Sequence, residues 1–356
     1  MKKINKNVAL FELGGSHTEC MHTQIKALKN NGNDIYLICN DSLVNEFPDT
    51  TVFTEIQTHN INKSLKSQIT AIKKIRKFLK NNDINTIIIN TLEISIVRNL
   101  LAFLPLPKVK NYVGLLHNGK KINGKRRREF KWSRRRVNKI FVLSQNTLQH
   151  LNTNNLPFTI NYFYPIYFPN YSDINISKPE NEFWITVLGH MSRHDVGYIF
   201  QSMEKEKLDK SVRIILLGTL LEEEFPLYKQ VIAESENLVK FNSRVPNNVV
   251  DAYLKYSDIV MPLFDHETMG PLRISGAYNS AYGYNIPLYI DNRFKNHIDF
   301  KEVALFFDRS ENIVNQINQL INNKDEINKC KDALINHPIY SIEKQCEHFI
   351  NIIFNE

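Results

Sequence analysis

Four cysteines, Cys20, Cys39, Cys330 and Cys346, are too few for a disulfide framework and fall at no metal-ligand spacing. A reducing, cytoplasmic interior is therefore the expected setting. No stretch approaches the roughly eighteen uninterrupted apolar residues of a membrane span. The opening MKKINKNVALFELGG is basic and then briefly apolar, but it carries Glu12 and lacks a small-residue cleavage site. It reads as a first strand, and any membrane contact is expected to be peripheral, on the inner face.

Missing motifs exclude more. There is no GxGxxG, GxxxxGK[ST], HExxH, GxSxG or paired CxxC, which argues against nicotinamide dehydrogenases, P-loop ATPases, zincins and serine hydrolases. No Asp-x-Asp offers a carboxylate pair for a divalent metal, so no metal and no cofactor are expected. No solenoid-period repeat or low-complexity block appears.

What is present reads as a globular chain: 356 residues, 42% hydrophobic and 23% charged, long enough for two domains. A net charge of +8 points to an anionic partner. Apolar β-rich runs alternate with helical patterns: strands at Val8–Leu13, Asp34–Asn40, Thr51–Ile56, Thr86–Asn90, Tyr112–His117 and Lys139–Ser144, and helices near Thr18–Asn30, Ser64–Lys80 and Ile94–Phe103. Such alternation implies βαβ units and a parallel sheet. The pattern lapses in YFYPIYFPNYSDINISKPEN, where Pro165, Pro169 and Pro179 block a long helix. A second series follows at Phe183–Gly189, Val212–Gly218, Leu238–Val245, Asp258–Phe264, Pro287–Asp291 and Ala304–Phe307, before an amphipathic tail helix over Ile342–Phe354. The expected division is a Rossmann-like domain over 1–165, a linker over 166–182, a second Rossmann-like domain over 183–338 and a tail over 339–356 that packs back on the first.

Open parallel sheets bind ligands at their carboxyl edge, and four stretches fall there. Leu13-Gly14-Gly15-Ser16-His17-Thr18 leaves the first strand with two glycines, which allow close approach of a phosphate or sugar or simply a tight turn. His117 ends a later strand on the same rim. Gly189-His190-Met191-Ser192-Arg193-His194 places cations after the first strand of the second series, suited to a leaving diphosphate where no metal serves, with Arg193 the leading candidate. Asp265–Asp291 carries Glu267, Met269, Gly270, Pro271 and Arg273 into a small-residue helix, whose first amides would favour an anion; Asp265 and Glu267 either bind ligand or cap that helix.

The densest charge run, Lys120 to Arg136 (KKINGKRRREFKWSRRR), interleaves cations with Phe130 and Trp132. A solvated helix face is one reading; an anionic membrane or lipid-phosphate docking patch is the preferred one. Nucleic acid is not expected, since no recognition-helix, RNP or zinc-finger pattern accompanies the run.

Two such halves with a returning tail resemble the GT-B glycosyltransferases, and GGSHTECMHTQIKALKNNGNDIYLI, GLLHN, NKIFVLS, FWITVLGHMSRHDVG, VRIILLG and NLVKFNSRVPNNVVDAYLKYSDIVMPLF look, in order, like segments of their large retaining bacterial family. DHETMGPLRISGAYNSAYGYNIPLYI resembles that family's signature of two glutamates eight positions apart. Glu267 and Gly270 match its first part, whereas Ser275, or Ser280 counted back from Pro287, stands where the second glutamate belongs. The resemblance implies two Rossmann-like domains facing across a cleft and transfer of a sugar from a nucleotide-diphosphate donor to a cell-envelope glycan or lipid-linked acceptor. It implies that Ser243, Arg244 and Val245 frame the base, that Gly189, His190, Arg193 and the amides after Gly270 hold the diphosphate, and that Glu267 contacts the sugar. Gly14, Gly15 and His117 would complete the site, with retention of configuration; an inverting enzyme would need His17, Glu19 or His117 as base. A sugar-nucleotide epimerase and a non-catalytic binding subunit of the same fold are the rivals.

Overall fold

The computed structural model describes residues 6–15, 17–61, 64–103, 109–171, 174–264 and 269–355, apart from the side chains of Phe103 and Arg193. The chain divides into two compact units, Met1–Pro169 with Pro271–Ile274 and Ser341–Glu356, and Asn170–Gly270 with Ser275–Tyr340. Pro271–Ile274, which the strand alternation assigns to the second domain, belongs with the first.

The first unit holds a seven-stranded sheet of β1 (Asn7–Glu12), β2 (Asp34–Asn40), β3 (Glu55–His59), β4 (Thr86–Ile89), β5 (Asn111–Leu116), β6 (Lys139–Val142) and β7 (Thr159–Tyr162). Its order is 3-2-1-4-5-6-7, with every pair parallel. The second unit holds β8 (Phe183–Leu188), β9 (Val212–Thr219), β10 (Leu238–Phe241), β11 (Ile259–Val260), β12 (Leu288–Asp291) and β13 (Ala304–Phe307), in the order 10-9-8-11-12-13, again all parallel. The two Rossmann-like sheets expected from the alternation are both present. In each, the winding reverses between the first and fourth strands, where doubly wound sheets open a ligand crevice at the carboxyl ends.

The strands read as continuous apolar runs because both sheet faces are covered. Ala9 and Phe11 of β1, with Tyr36 and Ile38 of β2, face a core shared with the helix Leu65–Asn81. Val8, Leu10, Ile35, Leu37 and Cys39 face the opposite core, shared with the helices Glu19–Asn30 and Ile342–Phe354. The tail helix is thus part of the first unit. Phe349, fully buried, sets its ring 5.0 Å from Phe141 and 4.6 Å from Phe163, and Lys139 Nζ donates to the terminal carbonyls of Ile352 and Ile353. Phe349→Ala should cost about 3–5 kcal/mol, since the cavity lies between two rings that a sheet strand and its flank hold in place; urea unfolding would measure it, and a loss below 1 kcal/mol would mean the tail is dispensable.

Strand ends differ from the sequence reading where side chains capture the backbone. Asp49 accepts from the Thr51 amide (2.8 Å) and hydroxyl (2.6 Å), so that stretch turns and β3 starts at Glu55. β7 is an edge strand of four partly exposed residues with no apolar run to announce it. β10 ends at Phe241 after a register shift, and the β11 ladder covers only Ile259–Val260, with Leu263 at φ 47° just beyond. Among the described residues no helix is long and apolar enough to cross a membrane.

Candidate active site

At the reversal point of the first sheet, β1 ends on a buried acid. Glu12 is 1% exposed; its Oε1 accepts from the Gly14 amide at 2.8 Å, and its Oε2 accepts from Asn90 Nδ2 at 2.7 Å and the Thr91 hydroxyl at 2.6 Å. Burial raises its pKa against these bonds, which favour the ionised form. Asn90, at the end of β4, is fully engaged: Gln24 Nε2 donates to its Oδ1 at 2.7 Å, its Nδ2 also donates to the His17 carbonyl at 2.8 Å, and its own carbonyl lies 2.7 Å from His117 Nε2. This network reaches from β1 to β5 and fixes two histidines.

His17 has φ 76°, a left-handed conformation that L side chains avoid, and the Asn90 bond to its carbonyl holds it there. Its Nδ1 lies 3.1 Å from Glu19 Oε1 and its ring centroid 4.2 Å from that of His117. A carboxylate only accepts, so the Glu19 bond places the proton on Nδ1 and leaves Nε2 as a lone-pair acceptor. Burial alone would lower the His17 pKa, but the Glu19 bond and the charges of Glu19, Glu12 and Glu93 raise it above its usual value. Burial would likewise raise Glu19, yet the His17 bond and charge outweigh it and hold it down. His117 is the opposite case: burial, reinforced by His17, pushes it down to about 4, so it is neutral and donates Nε2–H to Asn90. The pair reads as one base, His17, oriented by Glu19 and packed against a neutral ring.

Beside them, Glu93 Oε1 accepts from the Asn118 amide at 2.7 Å, and burial raises its pKa. Asn118 bridges to Arg273, and the Gly119 amide donates to the Leu272 carbonyl at 2.9 Å. Pro271 and Arg273 therefore belong to the first unit, as a strap beside His117. The helix of the signature stretch starts only at Gly276, capped by the Ser275 hydroxyl on the Ala277 amide at 3.1 Å, so the amides just after Gly270 are not its N-terminus.

In the second unit β8 ends on Gly189 at φ 111°. A side chain on Gly218 would meet the Gly189 carbonyl at 1.7 Å, so the β8 and β9 ends are pressed together and only glycine fits there. His190 is exposed, its Nδ1 2.8 Å from the Ser192 hydroxyl. Met191–Arg193 forms a short helical turn just after it. His194, expected as a cation, is instead buried, with Nδ1 2.6 Å from the Pro262 carbonyl and its ring 4.6 Å from Phe264; it ties the turn to the β11 end. At the carboxyl ends of β9 and β10 a hollow of about 430 Å³ is lined by Leu220, Leu221, Glu222, Glu223, Lys240, Phe241 and Asn242. Next to it follow Arg244, exposed, and Val245, buried. Met269 is buried and Gly270 has φ 56°. Glu267, with Asp265, His266 and Thr268, lies outside the described residues.

The structure thus gathers Gly14, His17, Glu19 and His117 in one unit, and Gly189, His190 and the Arg193 backbone on the matching edge of the other. Sequence reasoning passed over Glu12, Gln24, Asn90, Thr91 and Glu93. The one available signal was Glu12 itself, a lone acid inside an apolar strand. Among the described residues no three His, Cys, Asp or Glu side chains gather as a metal site.

No family model matches the chain. No curated protein matches it either. Solved structures do. They include a sucrose-phosphate synthase from Thermosynechococcus elongatus (TM-score 0.67, 10% identity, 98% of each chain covered) and the Anabaena protein HepE in complex with UDP (0.63, 13%, 98% of this chain and 99% of that one). A putative UDP-N-acetylglucosamine 2-epimerase from Listeria monocytogenes is similar too (0.61, 10%, 98% and 95%). With both sheets wound in the 3-2-1-4-5-6 sense and nearly the whole chain matched, the protein has the GT-B fold of these structures.

Proposed function

We propose that the protein is a glycosyltransferase that moves a sugar from a nucleotide-diphosphate donor to a hydroxyl of a cell-envelope glycan or lipid-linked acceptor. The observation that carries this reading is the His17–Glu19 pair at the reversal point of the first sheet. His17 Nε2 would take the acceptor hydroxyl proton as the oxygen attacks the anomeric carbon; the bond from that carbon to the diphosphate breaks, and the nucleoside diphosphate leaves. Glu19 orients the ring and stabilises the imidazolium that forms. In the second unit, Gly189, His190 and Arg193 are proposed for the diphosphate, Ser243 to Val245 with the neighbouring hollow for the base, and Glu267 for the sugar. Cations and backbone amides would meet the leaving charge without a metal. HepE, crystallised with UDP and with UDP-glucose, supports a nucleotide sugar as ligand. The exposed Trp132 within the basic run supports peripheral contact with an anionic membrane on the cytoplasmic side.

A base of this kind suits single displacement with inversion, whereas the family resemblance implies retention; the anomeric configuration of the product, read by NMR, decides between them. The epimerase reading is kept because one similar structure is that of a putative epimerase. Incubation with a panel of sugar nucleotides, with and without lipid-linked and soluble acceptors, separates the readings. Donor-dependent thermal stabilisation with nucleoside diphosphate release and a new glycoside is expected. A new sugar nucleotide without acceptor would mean an epimerase, and stabilisation without turnover a binding subunit.

A further inference from the structure

The basic run does not lie flat on the surface. Arg127 turns to the carbonyls of Asn152 and Asn154, Phe130 is buried, and Arg134 is only 3% exposed. Arg134 lies beneath a hollow of about 170 Å³ that is also lined by Glu93, Arg98, Lys121, Arg126 and Glu129. Its guanidinium spends Nε and one Nη2–H on the Leu92 carbonyl (3.1 and 2.9 Å) and one Nη1–H on the Ser133 hydroxyl (2.6 Å), and its cation sits 4.8 Å over the Phe130 ring. A guanidinium carries five N–H donors, so two remain unspent among the described residues. No carboxylate pairs with it there, and burying a cation unpaired is costly. Burial pulls it down to about 10, which still leaves it charged at neutral pH.

The rest of the hollow completes the case. Arg98 is matched by Glu129 at 3.4 Å, but Lys121 and Arg126 make no side-chain bond among the described residues. Glu93 Oε2 is buried with no hydrogen-bond partner among the described residues, and burial raises its pKa. A pocket of this size lined by Arg134, Lys121 and Arg126, three cations with no ion pair among the described residues and the first of them buried, is arranged for a tetrahedral oxyanion. We propose that it binds a phosphoryl group carried by the acceptor. Glu93 joins this pocket to the candidate active site, since its other oxygen holds the amide of Asn118, next to His117. That the phosphate belongs to an acceptor rests on the transfer reading; that a phosphate binds does not.

The test uses the full chain and inorganic phosphate, titrated by calorimetry at constant ionic strength against a sulfate-free chloride buffer. Saturable binding is expected, weakened about tenfold or more in Lys121→Ala/Arg126→Ala and restored in part by Lys121→Arg, which keeps the charge. Absence of saturable binding, or equal affinity in wild type and the double variant, overturns the site. Two competitors then name the source: a soluble sugar monophosphate, or phosphatidylcholine vesicles carrying a polyprenyl phosphate. Displacement by either one assigns the acceptor class, and displacement by neither overturns the acceptor role. If phosphate binds while the donor panel gives no transfer, the transfer reading fails and the site stands. Turnover with phosphorylated acceptors that is unchanged in the double variant sinks the site and spares the transfer reading.

Discussion

His17→Ala should lower kcat/KM for transfer about 10²- to 10⁴-fold, the usual contribution of a positioned general base, while nucleotide-sugar binding stays within a few-fold. The ring meets Glu19 and His117, and the side chain is part-exposed, so its removal opens no core cavity. The pH profile is the sharper readout. Glu19, Glu12 and Glu93 raise the His17 pKa, so the ascending limb of kcat/KM should lie above the ordinary histidine value of about 6.5. Glu19→Gln should move that limb down by removing the ion pair, and His17→Ala should abolish it. A His17→Ala enzyme with full activity and an unchanged profile would remove His17 from the reaction.

Acid should destabilise the first unit through its neutral histidines. His22, 6% exposed, and His117 are both pushed down to about 4, mainly by burial. The unfolded chain takes up their protons near pH 6.5, so between about 6.5 and 4 the unfolded state binds more protons and stability falls as pH drops. Each group should cost about 3 kcal/mol by pH 4, with a slope of about 1.4 kcal/mol per pH unit between the two values. His17, with its raised pKa, and the buried acids Glu12 and Glu93 work in the opposite sense, so the clean measurement is a difference. Urea unfolding of a Trp184→Phe protein, followed through Trp132 in the first unit, should show a shallower pH slope once His22 is replaced by Gln. An identical slope would mean that His22 is not held neutral.

Much of this was legible in the sequence. Strand alternation, the Gly14-Gly15 turn, the His117 rim position and the tail helix all follow from local pattern, because a strand end or an amphipathic stripe is a property of a few consecutive residues. The Glu12–Asn90–Gln24 network is not. Asn90 meets Glu12 across 78 positions only because β4 lies directly beside β1, and sheet order is settled by packing of whole elements. Arg134 shows the same limit within a single run: KWSRRR gives no sign that one of its three arginines turns inward. Glu12 was visible, but a lone acid in an apolar strand does not say which distant residues it will meet.

The strap Pro271–Ile274 bears on how such a protein can be recombined. A hybrid joined at Pro169 would look, by sequence, like a clean exchange of halves, yet its second half would bring four residues shaped for the first unit of another parent. The buried Gly119 amide would then depend on a foreign Leu272 carbonyl, and an orphaned buried amide costs roughly 1–3 kcal/mol. Exchange of the first unit between relatives of this fold is therefore a three-segment graft: the opening stretch, the strap and the tail helix have to travel together.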